Sequence, residues 1–419
     1  MQLHTEKNRS AVLKGVRVLD LTHVVSGPFA TLYLSMLGAE IIKIENPRTQ
    51  GDVSRATGPF KGDVSLRFCS LNHSKHSVAL DLTTPEGRDI FLRMAKKSHI
   101  VIENFRPGVM EKLGIGYDVL KRENPRIVFG SLSGFGKDGP YRDLPAYDVI
   151  AQALSGIMWL NGWEEDPPIK VGTSIADVTA GLNLVIGVLA ALREAERTGE
   201  GRFVEVSLID SLVSLMIVDN QEYLFNGILP ERIGNNNRKW APYGVYRASN
   251  GYFAIGVGSD EFFQRLALDI FNRPDMAADP RFASHTARVE HRELIDDVLN
   301  QWAGTLSVKE VCRALGEAGI PCAPVNTIGD AVADEHIGGA RQMFPSLDQE
   351  GIGPVPVTQI PLRIHDMEDV PLTSAPRLGE QNGDILCSLL NLSDDEIQGL
   401  IERNILGTHQ VDRASEEQG

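Results

Sequence analysis

Cysteine is scarce. The 419 residues hold four, Cys69, Cys312, Cys322 and Cys387, and none sits in a C-x-x-C pair. That spacing argues against a disulfide framework or a zinc knuckle and suits a reducing cytosol, so the expected localisation is cytoplasmic. Basic charge is short as well: 41 Lys and Arg stand against 56 Asp and Glu, for a net charge of −15. Such a balance argues against a nucleic-acid scaffold and leaves room for a local basic pocket for phosphates. Long apolar runs are missing too. The first thirteen residues are polar, and the longest apolar stretch, near 182–192, contains Asn183 and ends in Arg193 and Glu194. It reads as a buried helix, and no membrane partner is expected.

What is present is an ordinary globular mixture, 42% hydrophobic and 23% charged, in a chain long enough for two or three domain-sized units. From residue 16 to about 135, short β-branched runs alternate with helical patterns. Strands are expected at 16–21, 40–44, 77–82, 99–103 and 126–131, with a helix at 28–37. A second helix is capped by Thr84, with Pro85 at its first position, where a missing N–H costs nothing. Strand, helix, strand in repetition predicts an α/β fold, a parallel sheet in a Rossmann-like layer. A long helix after Asp177, a strand at 203–207 and a helix at 209–225 complete this large domain, 14–225, behind a flexible N-terminus, 1–13.

The segment 226–342 reads as a linker and a small α+β domain. Its signals are a hairpin turning at Asn250-Gly251 and a capping box at Ser307 and Glu310. Residues 343–419 form a return segment that packs on the large domain.

Three motifs carry alternative readings. Gly134-Phe135-Gly136-Lys137-Asp138-Gly139 satisfies G-x-G-x-x-G and invites a nicotinamide dehydrogenase. It follows the fifth strand rather than the first and runs into Pro140, so a plain loop fits better. His73 and His76 are three apart, but Lys75 between them would repel a cation, and no metal site is expected. Asp177 stands where the long apolar helix begins. As a helix cap it would bond free N–H groups; as a nucleophile it would have those donors beside a developing oxyanion. Spacing alone favours the cap and does not exclude the nucleophile.

Nine segments, in order, carry a family resemblance: L-K-G-V-R-V-L-D-L-T-H-V-V-S-G-P (13–28), G-A-E-I-I-K-I-E (38–45), S-V-A-L-D-L (77–82), V-I-E-N-F-R-P-G-V (101–109), A-Y-D-V-I-A-Q-A-L-S-G (146–156), I-A-D-V-T-A-G (175–181), T-G-E-G-R-F-V-E-V-S-L-I-D (198–210), A-G-I-P-C-A-P-V (318–325) and P-R-L-G-E (376–380). Together they resemble the class III CoA-transferases, which include formyl-CoA transferase, carnitine CoA-transferase and α-methylacyl-CoA racemase. The resemblance implies that Asp177 is the catalytic aspartate, attacking a donor thioester and carrying anhydride and aspartyl-CoA thioester intermediates. It implies coenzyme A or acyl-CoA as substrate, with no tightly bound cofactor, and a CoA-binding set of His23, Lys75, Asn104, Arg106, Lys112 and Tyr147. An interlocked homodimer is implied as well.

Tyr147 stands where racemases carry His. A neutral phenol is a poor acid–base partner for α-carbon chemistry, which favours transfer over an acyl-CoA racemase or isomerase. The stretch Gly234-Asn235-Asn236-Asn237-Arg238 is not the glycine-rich loop of the oxalate-using relatives, which leaves the acceptor open; succinyl-CoA is the expected donor. A non-catalytic CoA-binding protein is the alternative from a different class.

Overall fold

The structure, a computed structural model, describes residues 11–408. The expected flexible N-terminus therefore lies outside the described residues as far as residue 10, and the end of the return segment does so from residue 409. Contacts divide the chain into two units. Among the described residues the first comprises 11–157, 170–221 and 342–408; the second comprises 158–169 and 222–341.

The first unit is built on a six-stranded sheet, parallel throughout. In space its strands run His76–Ala79, Glu40–Glu45, Arg17–Asp20, Ile100–Glu103, Val128–Ser133, Phe203–Ser207. Numbered along the chain this is the order 3-2-1-4-5-6 of a doubly wound sheet. Helices cover such sheets, so the strands read as near-continuous apolar runs; Val18, Leu19, Ile41, Ile42, Val101 and Ile102 are buried almost completely. The buried charged exceptions, Asp20, Lys43, Glu45 and Glu103, lie toward the carboxyl ends of their strands. Burying a charge is costly unless it is paired, so these four residues mark where the sheet departs from plain packing.

The helices begin largely where the sequence places them. Thr84 accepts from Gly87 N at 3.0 Å to open the helix Pro85–Lys96. The first helix, Ser26–Met36, starts two residues earlier than expected, and the helix expected at 209–225 is two, Leu208–Leu215 and Ile217–Asn226, parted at Met216. The helix Ile175–Thr198 is long and apolar enough by composition to cross a membrane. Here it packs on the sheet, with Leu184 and Val188 against Gly130 and Gly187 against Val204.

The return segment does what an exposed sheet edge requires. Gln381 Oε1 accepts from Ser77 N at 2.8 Å and Asn382 Oδ1 from Ala79 N at 2.9 Å, so side chains satisfy the edge strand His76–Ala79.

In the second unit the strands Tyr243–Ala248, Gly251–Gly256 and Cys322–Pro324 form an antiparallel sheet. Its core includes Phe253, Phe263, Leu299, Val311 and Leu315. Residues 158–169, which the sequence reading puts in the large domain, group with this unit. Trp163 bridges to Ile233, and its indole lies where a Cβ on Gly234 would be, 2.3 Å away.

Candidate active site

In a sheet of order 3-2-1-4-5-6 the winding reverses between the first and fourth strands, and the crevice outside their carboxyl ends is the expected ligand site. The loop leaving Asp20 carries His23, and the turn leaving Glu103 carries Asn104, Phe105 and Arg106. The structure joins them. His23 N donates to Asn104 Oδ1 at 2.8 Å and Asn104 Nδ2 returns a bond to His23 O at 2.9 Å; the His23 and Phe105 rings lie 5.5 Å apart. Phe105 N donates to Glu103 Oε2 at 2.7 Å, which shapes the turn, and burial pushes the Glu103 carboxyl up to about 7.

Buried charges hold the His23 loop from below. Lys43 Nζ donates to Thr22 O at 2.6 Å and pairs with Asp52 at 3.0 Å, while Asp52 Oδ1 accepts from Val24 N at 3.2 Å. Burial, with Lys43 beside it, keeps the His23 imidazole below its ordinary value and hence neutral at neutral pH. Val24 sits at φ 70°, an uncommon conformation for a β-branched residue.

Asp177 comes to the same place by close helix packing. One turn beyond it, a Cβ on Gly181 would lie 2.8 Å from Ser26 O, so only glycine lets the helices Ile175–Thr198 and Ser26–Met36 approach this far. Asp177 then reaches the Ser26 hydroxyl, and Ser26 Oγ lies 3.5 Å from Asn104 Nδ2. Burial pushes the Asp177 carboxyl up to about 6; Asp148 adds to the rise, and Arg67 and the Ser26 hydroxyl oppose it.

The cap reading of Asp177 is corrected by the helix itself. Ser174 occupies the cap position without a side-chain bond, and Asp177 is the third helical residue. The capping acceptor is Asp148, whose Oδ1 takes Ala176 N–H at 2.7 Å. Gly134 helps bring it there, for a Cβ at Gly134 would meet the Ala146 Cβ at 2.2 Å. The G-x-G-x-x-G stretch thus serves backbone approach beside the site, and the next helix opens only at Asp148.

The remaining expected contacts divide. Arg106 and Lys112 are exposed and have no ion-pair partner among the described residues. Tyr147 is 72% exposed and precedes Asp148 at the start of the helix Asp148–Ser155. Lys75 is corrected. It is 3% exposed, and its Nζ is spent on Asp20, Thr31, Asn72 and Pro28 O at 2.8–3.2 Å, leaving no donor for a phosphate. Sequence reasoning missed Ser26, Arg67, Asp148 and Gln152. Only the last two left a signal, Asp and Gln four apart on one helix face.

The CoA-transferase family III profile matches residues 13–382. The chain belongs to that family. Among curated relatives, it is 37% identical to the acetyl-CoA:oxalate CoA-transferase of Acetobacter aceti, over 88% of this chain and 93% of that one. It is 34% identical to the succinyl-CoA–D-citramalate CoA-transferase of Chloroflexus aurantiacus, over 94% and 98%. The crystal structure of a CAIB/BAIF family protein from Brucella suis superposes with a TM-score of 0.80 at 33% identity, covering 91% of this chain and all of that one. The protein is thus a CoA-transferase family III enzyme that moves CoA between acids.

Proposed function

We propose that the protein transfers CoA from an acyl-CoA, with succinyl-CoA as donor, to a dicarboxylic acid through covalent intermediates on Asp177. The observation that carries this reading is a carboxylate in the first turn of a helix, free of the capping duty, held by Ser26 at the winding reversal of the sheet. Its oxygen attacks the thioester carbonyl, the C–S bond breaks and CoA leaves as thiolate. The thiolate attacks the aspartyl carbonyl of the anhydride, and the donor acid departs. The acceptor carboxylate then opens the aspartyl-CoA thioester, and the thiolate takes the acyl group and regenerates Asp177. Every intermediate stays activated and no base is required.

His23 and Asn104 frame the CoA chain in this reading, Tyr147 flanks it, and exposed Arg106 and Lys112 meet its phosphates. Arg67 acts on Asp177 from the helix Leu66–Asn72 and is exposed, which suits a second carboxylate on the acid. The oxalate and citramalate relatives act on acids of that class. The reading includes a cytoplasmic, interlocked homodimer. Exposed apolar side chains at Ile186, Leu215, Ile217 and Val218 support an apolar partner surface.

The test is chemical. Asp177→Asn and Asp177→Ala should both abolish transfer, since an amide forms no anhydride. Parent enzyme given acyl-CoA alone should yield a hydroxamate at Asp177 when treated with hydroxylamine, located by mass spectrometry. An active Asp177→Asn protein, with deamidation excluded, overturns the mechanism.

A further inference from the structure

A carboxylate in the first turn of a helix is ordinarily a weak nucleophile. Free N–H groups and the positive end of the helix dipole stabilise its charge and lower its basicity. Asp177 occupies that position, yet the site around it works in the opposite direction. We propose that Asp148 is a positioning residue for Asp177: it closes the amino end of the helix from outside and, as a second negative charge beside Asp177, keeps that carboxylate basic enough to attack a thioester. The inference rests on the covalent reading of Asp177 given above.

The geometry shows how Asp148 is held for this task. Its Oδ1 accepts from Ala176 N at 2.7 Å, taking one of the helix's unpaired donors, while its Oδ2 accepts from Gln152 Nε2 at 2.7 Å. Gln152 is fully buried, and its Oε1 accepts from Val171 N at 2.8 Å, which ties the same brace to the strand of chain entering the helix. Both oxygens of Asp148 are thus fixed by neighbours, so its charge cannot swing away. A cap alone would not need that charge, because Asn or Ser accepts from a helix N–H about as well. What a carboxylate adds over an amide is repulsion of a neighbouring carboxylate, which favours the protonated form of Asp177 and makes its ionised form more reactive.

The charged groups acting on Asp177 among the described residues are Asp148, from the helix Asp148–Ser155, and Arg67, from the helix Leu66–Asn72. The helix Ser26–Met36 offers only the Ser26 hydroxyl there. Glu205 and Asp210, on other elements packed against Ile175–Thr198, line a separate cavity with Phe135 and Tyr141. Arg67 opposes Asp148. The balance runs with burial and with Asp148, and burial pushes the carboxyl up to about 6.

The experiment is the pH dependence of kcat/KM for acyl-CoA in the parent and in Asp148→Asn, whose Oδ1 can still accept from Ala176 N–H. Removing the charge should move the acid limb down by about one pH unit and lower the plateau by about three- to tenfold, as a less basic nucleophile reacts more slowly. A rate reduced equally at every pH, with the limb unmoved, would mean that Asp148 is structural only and overturns the inference. Asp177→Asn, assayed alongside, separates the two claims. If it retains transfer, the covalent reading fails. If it is inactive while the limb of Asp148→Asn stays with the parent, only the role of Asp148 fails. Should Asp148→Asn prove too unstable to assay, Asp148→Glu keeps the charge and changes the reach. Its limb should then stay at the parent pH on a lowered plateau, and a displaced limb counts against the proposal.

Discussion

Replacing Asp177 with Asn should make the protein more stable at neutral pH even as it removes activity. In the fold, burial and Asp148 push the Asp177 carboxyl up to about 6, against an ordinary value of 3.8. A carboxyl whose folded value is raised binds its proton more tightly in the native state. Its favourable contribution is complete below the unfolded value and is lost as pH climbs through the folded one. Each tenfold change in proton affinity corresponds to about 1.4 kcal/mol, so the ionised carboxylate costs about 2–3 kcal/mol as an upper bound. Asp177 keeps part of its surface exposed, and solvent screening brings this to about 1–2 kcal/mol. Asn carries no charge at any pH and should recover that amount above pH 7 and little of it near pH 4.

The assay is guanidinium unfolding of parent and variant at pH 4.5 and 7.5. All four tryptophans, Trp159, Trp163, Trp240 and Trp302, lie in the second unit, so their fluorescence follows the wrong part of the chain. Far-UV circular dichroism is the appropriate signal. Every other titrating group is common to both proteins, so the change in their difference with pH reports residue 177 together with its coupling to Asp148 and Arg67. A variant no more stable than the parent at pH 7.5, or equally favoured at both pH values, would refute the reasoning.

Two further predictions concern the supports of the site. Lys43→Met removes the partner of a fully buried Asp52 and the donor to Thr22 O, and should cost about 3–5 kcal/mol; adding Asp52→Asn should return part of it, and a Lys43→Met protein unfolding with the parent would show the pair to be idle. Arg106→Ala and Lys112→Ala should raise KM for acyl-CoA with little change in kcat, each by about tenfold or more if a charge-assisted phosphate contact is lost. Parent-like KM values in both would remove these residues from the CoA site.

The sheet was legible because its strands are buried on both faces and bounded by turn residues, so EIIKIE and VRVLD announce themselves without partners in view. Helix starts were legible where the capping residue is local, as at Thr84 and Ser307. Asp177 was misplaced by the same logic. The cap of its helix comes from Asp148, 29 positions earlier, and no local pattern announces a cap imported from another helix. Lys75 shows the converse failure. A lysine between two histidines was expected to meet CoA, and only the fold reveals Asp20, Thr31 and Asn72 converging on it. Gln381, uninformative along the chain, acquires a purpose once the edge strand beside it is known.

The first turn of the sheet shows how this fold departs from dinucleotide binders of the same strand order. There, glycines strip the loop of side chains so that a pyrophosphate can lie against bare backbone. Here the loop reads Thr22-His23-Val24-Val25-Ser26, with Val24 in a left-handed conformation that costs a residue with a Cβ about 1–2 kcal/mol. Glycine would relieve that strain. The fold instead holds the strained backbone with Lys43 on Thr22 O, Asp52 on Val24 N and Asn104 on both backbone polar groups of His23. Several hydrogen bonds, some to buried charges and each worth about 0.5–3 kcal/mol, outweigh the strain. A loop secured in this way is built to present side chains. The His23 ring meets that of Phe105, and Ser26 faces Asp177. The buried charges of the sheet therefore belong with this loop, because they let a Rossmann crevice display a hydroxyl to the Asp177 carboxylate where its relatives in topology display only backbone.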